Sequence, residues 1–77
     1  SPLAAVSIGS AGLTDAVLAE AERALDDHEL VKVKVAVEDR ADRKAHIDAM
    51  CKALGAEHIQ SIGKTALIYR AAEDLSS

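Results

Sequence analysis

The sequence predicts a small two-layer α/β fold of element order β-α-β-α-β-β, with both helices on one face of the sheet and the other face open. Three observations predict it. The hydrophobic period alternates between about 2 and about 3.6 along the chain, a capping or turn residue stands at each change of period, and the last two strands are joined by a two-residue glycine turn. At 77 residues, 49% hydrophobic and 29% charged, the chain reads as a single globular domain over 1–77.

Leu3 to Ile8 is apolar, short and closed at once by Gly9, which suits a buried strand rather than a helix. Gly9-Ser10-Ala11-Gly12 is then a tight loop. Thr14 offers a hydroxyl to cap the following helix, and Asp15 puts a negative charge on the positive end of its dipole. Val17, Leu18, Ala21, Ala24 and Leu25 recur at helical spacing, while Glu20, Glu22, Arg23, Asp26 and Asp27 fall elsewhere on the wheel, so the outer face is acidic. From Leu30 the period is two: Val31, Val33, Val35 and Val37 on one side, Lys32, Lys34 and Ala36 on the other. Asp39 caps a second helix, with Asp42 three residues on in the manner of a capping box; Ile47, Met50, Cys51 and Leu54 form its apolar stripe, and Gly55 ends it in a left-handed conformation. Glu57 to Ile62 and Thr65 to Arg70 are strands joined by Gly63-Lys64, the type II′ pattern of antiparallel neighbours. The polar tail from Ala71 to Ser77 is expected to fray. Right-handed crossovers place both helices on one face if the chain steps consistently in one direction. The valines then point to the helices, and Lys32 and Lys34 point to the open face.

Composition excludes more than it names. Sixteen alanines and the absence of Phe and Trp leave a lean core, in which a deep catalytic cavity is not expected. One cysteine forms no internal disulfide and fits a reducing compartment. No apolar run is long enough to span a membrane, and nothing at the N-terminus reads as a signal peptide, so a cytoplasmic location is expected. The net charge of −4 argues by sign against a nucleic-acid partner, but its distribution does not. Residues 1–29 hold one arginine against six carboxylates, net −5, whereas residues 30–70 hold eight basic against five acidic residues, net +3.

The loop Gly9-Ser10-Ala11-Gly12 lies between a strand and a helix start, where free amides and the dipole converge on a phosphate-sized target. KH domains clamp the backbone of single-stranded nucleic acid with a GXXG loop. The tetrapeptide lacks the third glycine of a dinucleotide fingerprint. Gly63-Lys64-Thr65 has the ending of a P-loop, but His58 stands where the first glycine is needed and a strand follows instead of a helix, so it reads as a hairpin turn. His28, His46 and His58 fall on different elements, and Cys51 takes a core position off the face of His46. No metal site, catalytic constellation or cofactor is therefore expected. Lys32 and Lys34 share a face, Lys64 tips the hairpin and Arg70 ends the last strand. Ala66, Ile68 and Arg70 lie on one side of that strand and Thr65, Leu67 and Tyr69 on the other. Whether Arg70 joins the lysines depends on strand order. Tyr69, the sole aromatic, suits a core position better than a base-stacking one.

Three blocks, Ile8-Gly9-Ser10-Ala11-Gly12-Leu13-Thr14, His28-Glu29-Leu30-Val31-Lys32-Val33-Lys34 and Ile62-Gly63-Lys64-Thr65-Ala66-Leu67-Ile68-Tyr69-Arg70, resemble the YhbY-type CRM domain, the chloroplast RNA splicing and ribosome maturation module. The resemblance runs from about Leu3 to Arg70. It implies a fold like the C-terminal domain of bacterial translation initiation factor three, with helices stacked on one face of a four-stranded mixed sheet. It also implies RNA binding without catalysis and, for stand-alone bacterial members, association with precursors of the large ribosomal subunit. Carried over by position, Gly9, Ser10, Ala11 and Gly12 form the RNA-backbone loop, and Lys32, Lys34 and Lys64 are supporting cations. Arg70 is grouped with them as an RNA-binding residue. The expected partner is ribosomal RNA or large-subunit precursor particles, met by a monomer. Family members carry a further lysine-rich helix before the first strand, a segment that this sequence, opening at Ser1-Pro2, does not include. The alternative is a protein-interaction module that docks through its acidic helix face without touching RNA.

Overall fold

A computed structural model describes residues 4–72, so the expected strand residue Leu3 and the tail from 73 onward lie outside the described residues. The elements are β1 (Ala4–Ile8), α1 (Asp15–His28), β2 (Leu30–Val35), α2 (Arg40–Leu54), β3 (Glu57–Ile62) and β4 (Thr65–Tyr69). The strands form one mixed sheet in the order β1-β2-β4-β3. β1 and β2 are parallel, β4 runs antiparallel to β2, and β3 runs antiparallel to β4. β3 is therefore parallel to β2 with β4 inserted between them. Both crossovers step in the same direction along the sheet, which is the condition for both helices to share a face.

Local chemistry sets the element ends. The Thr14 hydroxyl accepts the Val17 amide at 3.1 Å at the start of α1, and the Asp39 carboxylate accepts the Asp42 amide at 3.0 Å at the start of α2. Gly55 closes α2 at φ 65°, ψ 33°. Gly63 carries the positive φ of the β3–β4 turn while Lys64 does not, as a type II′ turn requires.

The core is where the strand period meets the helical stripes. Val6, Ile8, Val31, Val33, Val35, Ala66 and Ile68 all point to one face and pack against Ala21 and Leu25 of α1 and Ile47, Met50, Cys51 and Leu54 of α2. No polar side chain is buried among the described residues. With residues this small, shape fit matters more than bulk: each fully buried Leu, Ile or Met contributes about 1.5–3 kcal/mol.

Two expectations need correction. Val37 does not continue the strand, because β2 ends at Val35. The chain leaves the sheet there to reach the Asp39 cap, and the Val37 carbonyl accepts Arg43 Nη1 at 2.7 Å. Tyr69 is not a core residue: it alternates with the buried Ile68, lies half-buried on the open face and stands opposite Leu30 and Glu57. A β-bulge between His58 and Gln60 also breaks the register of β3, an edge strand exposed along its length.

Candidate nucleic-acid interface

Because β1 and β2 are parallel and β4 begins where β2 ends, one end of the sheet gathers the loop 9–12, the N-termini of both helices and the Gly63-Lys64 turn. The loop closes on itself through the Gly12 amide, which donates to the Gly9 carbonyl at 3.0 Å. Ser10 and Ala11 at its tip are exposed, and among the described residues their amides have no hydrogen-bond partner. The two glycines are not equivalent. Gly12 is buried at φ +79°, and a Cβ there would meet His46 Nε2 at 3.0 Å. Gly9 is exposed, its φ lies outside the left-handed region, and a Cβ there would meet nothing within 4 Å. Gly12 is thus required by the protein itself, and Gly9 is not. The helix end behind the loop is partly occupied from within, since Thr14 caps it and Asp15 stands in its first turn.

Lys32 and Lys34 project from the open face, as expected from their alternation with buried valines. Lys34 lies between Ser7 and Thr65, and Lys32 between Ala5 and Leu67, so no carboxylate stands opposite either. Neither makes an ion pair among the described residues. Ser7, opposite Lys34 in the sheet, is followed by Ile8 and then the loop, so Lys34 lies at the loop end of the open face. Lys64 is at the same end, but its Nζ binds Glu38 at 2.5 Å, and this ammonium, with a smaller contribution from Arg43, holds the Glu38 carboxyl below its usual range.

Arg70 stands apart from the lysines. Strand order carries it to the opposite end, where it donates to the Leu54 carbonyl and to Asp26, each at 2.7 Å, and pairs with Glu22. These bonds to Glu22 and Asp26 push its pKa up, against the opposing effect of burial. Its guanidinium ties the end of β4 to both helices.

Two features had little sequence signal. His46 Nδ1 donates to the Asp42 carbonyl, 2.8 Å away, and the other edge of the ring rests on Gly12. The helical spacing from Asp42 to His46 is visible in the sequence; the contact with the loop is not. Arg40, Arg43 and Lys44 at the start of α2 line a cleft against the β3–β4 hairpin. The histidines do not converge: no cluster able to hold a metal is found among the described residues. Burial pushes the Cys51 thiol up, with Asp48 adding to the effect, so it stays protonated and is poorly suited to be a nucleophile. No described helix is long and apolar enough to cross a membrane.

The CRS1 / YhbY (CRM) domain family matches residues 3–70. The chain belongs to this CRM family. Over 59 residues the CRM domain is 58% identical to a probable RNA-binding protein of Pseudomonas aeruginosa, covering 77% of the chain and 57% of that relative. Over 69 residues it is 45% identical to an RNA-binding protein of Haemophilus influenzae, covering 90% of the chain and 70% of the relative. The chain thus spans little more than half of the Pseudomonas protein. The solution structure of SAV1595 from Staphylococcus aureus superposes with a TM-score of 0.79 at 28% identity, over 90% of this chain and 72% of that one. Both sequence relatives are named as RNA-binding proteins, not as enzymes.

Proposed function

We propose that this CRM domain binds RNA, holding the sugar–phosphate backbone at Gly9–Gly12 and along Lys34 and Lys32, and that it acts in assembly of the large ribosomal subunit. The observation that carries the reading is Gly9, a glycine that neither its φ nor its surroundings require, beside two exposed amides and two lysines with no ion-pair partner among the described residues. Phosphate oxygens accept from amides and ammonium groups without reference to base identity, so the grip is sequence-neutral. Lys64 adds to it less than its position suggests, because Glu38 shares its charge. Arg70 is left out of the site. The protein-docking alternative draws on an acidic α1, but Glu22 and Asp26 of that helix are already paired with Arg70.

Gly9→Val retains the fold and weakens binding to a single-stranded RNA on the order of tenfold, about 1.4 kcal/mol; equal affinity for folded variant and wild type excludes the loop. Lys32→Gln and Lys34→Gln each lower the slope of log affinity against log salt by about one unit. For the cellular role, gradient fractionation of an extract is expected to place the protein with large-subunit precursors and to release it on RNase treatment. Travel with the same particles after RNase favours protein docking instead.

A further inference from the structure

We propose that the CRM domain has a second RNA subsite, a nucleotide-sized cleft between α2 and the β3–β4 hairpin, on the far side of α2 from Gly9–Gly12. It rests on the RNA-binding reading above and extends it. Two helices do not cover four strands, and the shortfall falls over the edge strand β3, exposed along its length. There the chain leaves an open cavity of about 440 Å³, within the range of small-ligand sites. Val35, Ile47 and Ala66 lie behind its lining but are themselves buried core, each at most 2% exposed, so the surface open to a ligand is formed by the exposed side chains of its walls. The helix-facing residues of β3 are not apolar: His58 and Ser61, opposite Ile68 and Ala66, line this side, and His58 Nε2 lies 2.7 Å from Ser61 Oγ.

The rim is cationic. Arg40 and Lys44 are one helical turn apart, both exposed and on the cleft side of α2, and Lys64 faces them from the hairpin. Of these, Arg40 has no ion-pair partner among the described residues. The carboxylates nearby, Asp48 and Glu38, are each already paired with a lysine of the rim. Arg43 is held by the carbonyls of Val37 and Glu38 and fixes the wall rather than reaching out. The arrangement matches a nucleotide: the polar edge of its base at the exposed His58–Ser61 pair, its phosphate at Arg40 and Lys44. Since α2 carries His46 against Gly12 on one side and Arg40, Lys44 and Ile47 on the other, a strand crossing the first turns of α2 engages both sites.

The test uses the 77-residue chain labelled with 15N. Uridine and adenosine 5′-monophosphates are expected to shift the amides of Ser61, Gly63 and Ala66 and to leave those of Ser10 and Ala11 in place. Inorganic phosphate producing the same shifts overturns a nucleotide subsite. The double variant R40Q/K44Q, both positions exposed, is expected to melt as wild type does and to lower affinity for a single-stranded RNA decamer on the order of tenfold, beyond the loss from Gly9→Val. RNA binding that falls with Gly9→Val but is unchanged in R40Q/K44Q overturns the cleft and leaves the loop standing. Failure of the wild-type chain to bind the decamer overturns both.

Discussion

Gly9 and Gly12 end the same four-residue loop for different physical reasons. At φ +79° an L side chain is strained by about 1–2 kcal/mol, and His46 crowds the position as well. Gly12→Ala is therefore expected to lower stability by about that amount in urea unfolding, whereas Gly9→Ala changes it by less than about 0.5 kcal/mol. Equal losses at the two positions contradict this division. A lost RNA signal in a Gly12 variant thus mixes folding with binding, and Gly9 is the clean probe. Among the described residues Glu29 is the one non-glycine with positive φ, at 63°. It is the single residue between α1 and β2, and its amide, carbonyl and carboxylate are bonded to Leu25, Arg70 and Ala72.

At the scale of elements, the start of α2 and the β3–β4 turn are joined by Lys64 and Glu38. In the fold the Glu38 carboxyl is depressed, so the stability it contributes is present above the unfolded pKa and is lost as pH falls through the folded value. Wild type is accordingly more stable than Lys64→Met near neutral pH. The difference in melting temperature closes as Glu38 is protonated in the acid range and shrinks in high salt. A difference that persists unchanged through the carboxylate range rules the linkage out. Both groups are exposed, so the effect is small. Glu38→Gln is expected to raise RNA affinity, since it frees Lys64 and removes a negative charge beside the loop end.

Across the whole molecule, charge is sorted along the sheet. The loop end carries Lys34, Arg40, Arg43 and Lys64 balanced by Asp15, Glu38, Asp39 and Asp42, of which Glu38 is paired and Asp39 is engaged as a cap, while the opposite end carries Glu22, Asp26 and Glu29 around Arg70. The excess negative charge of the chain, net −4, therefore does not fall on the loop end, and Lys32 and Lys34 on the open face remain exposed to phosphate. Arg70 belongs to the stability of the other end. Arg70→Met is expected to cost about 1–2 kcal/mol, discounted for the partial exposure of its partners, and to leave the salt dependence of RNA binding as it was. A reduced salt slope instead returns Arg70 to the interface.

The sequence by itself determined the six elements, their caps and the open-face lysines. Thr14, Asp39, Gly55, Gly63 and the valine alternation act through neighbours a few positions away, so their signals are local. It also exposed the Gly9–Gly12 loop. Val37 escaped because strict alternation says nothing about where a chain must leave a sheet. The outward face of Tyr69 follows from its alternation with the buried Ile68, whereas only the tertiary structure decided that β4 sits between β2 and β3 and brought Arg70 to a carboxylate 44 positions away. It alone brought His46 to Gly12 and opened the cleft beside Arg40 and Lys44. These depend on how separate surfaces fit together, and no periodicity within one segment encodes which distant segment will meet it.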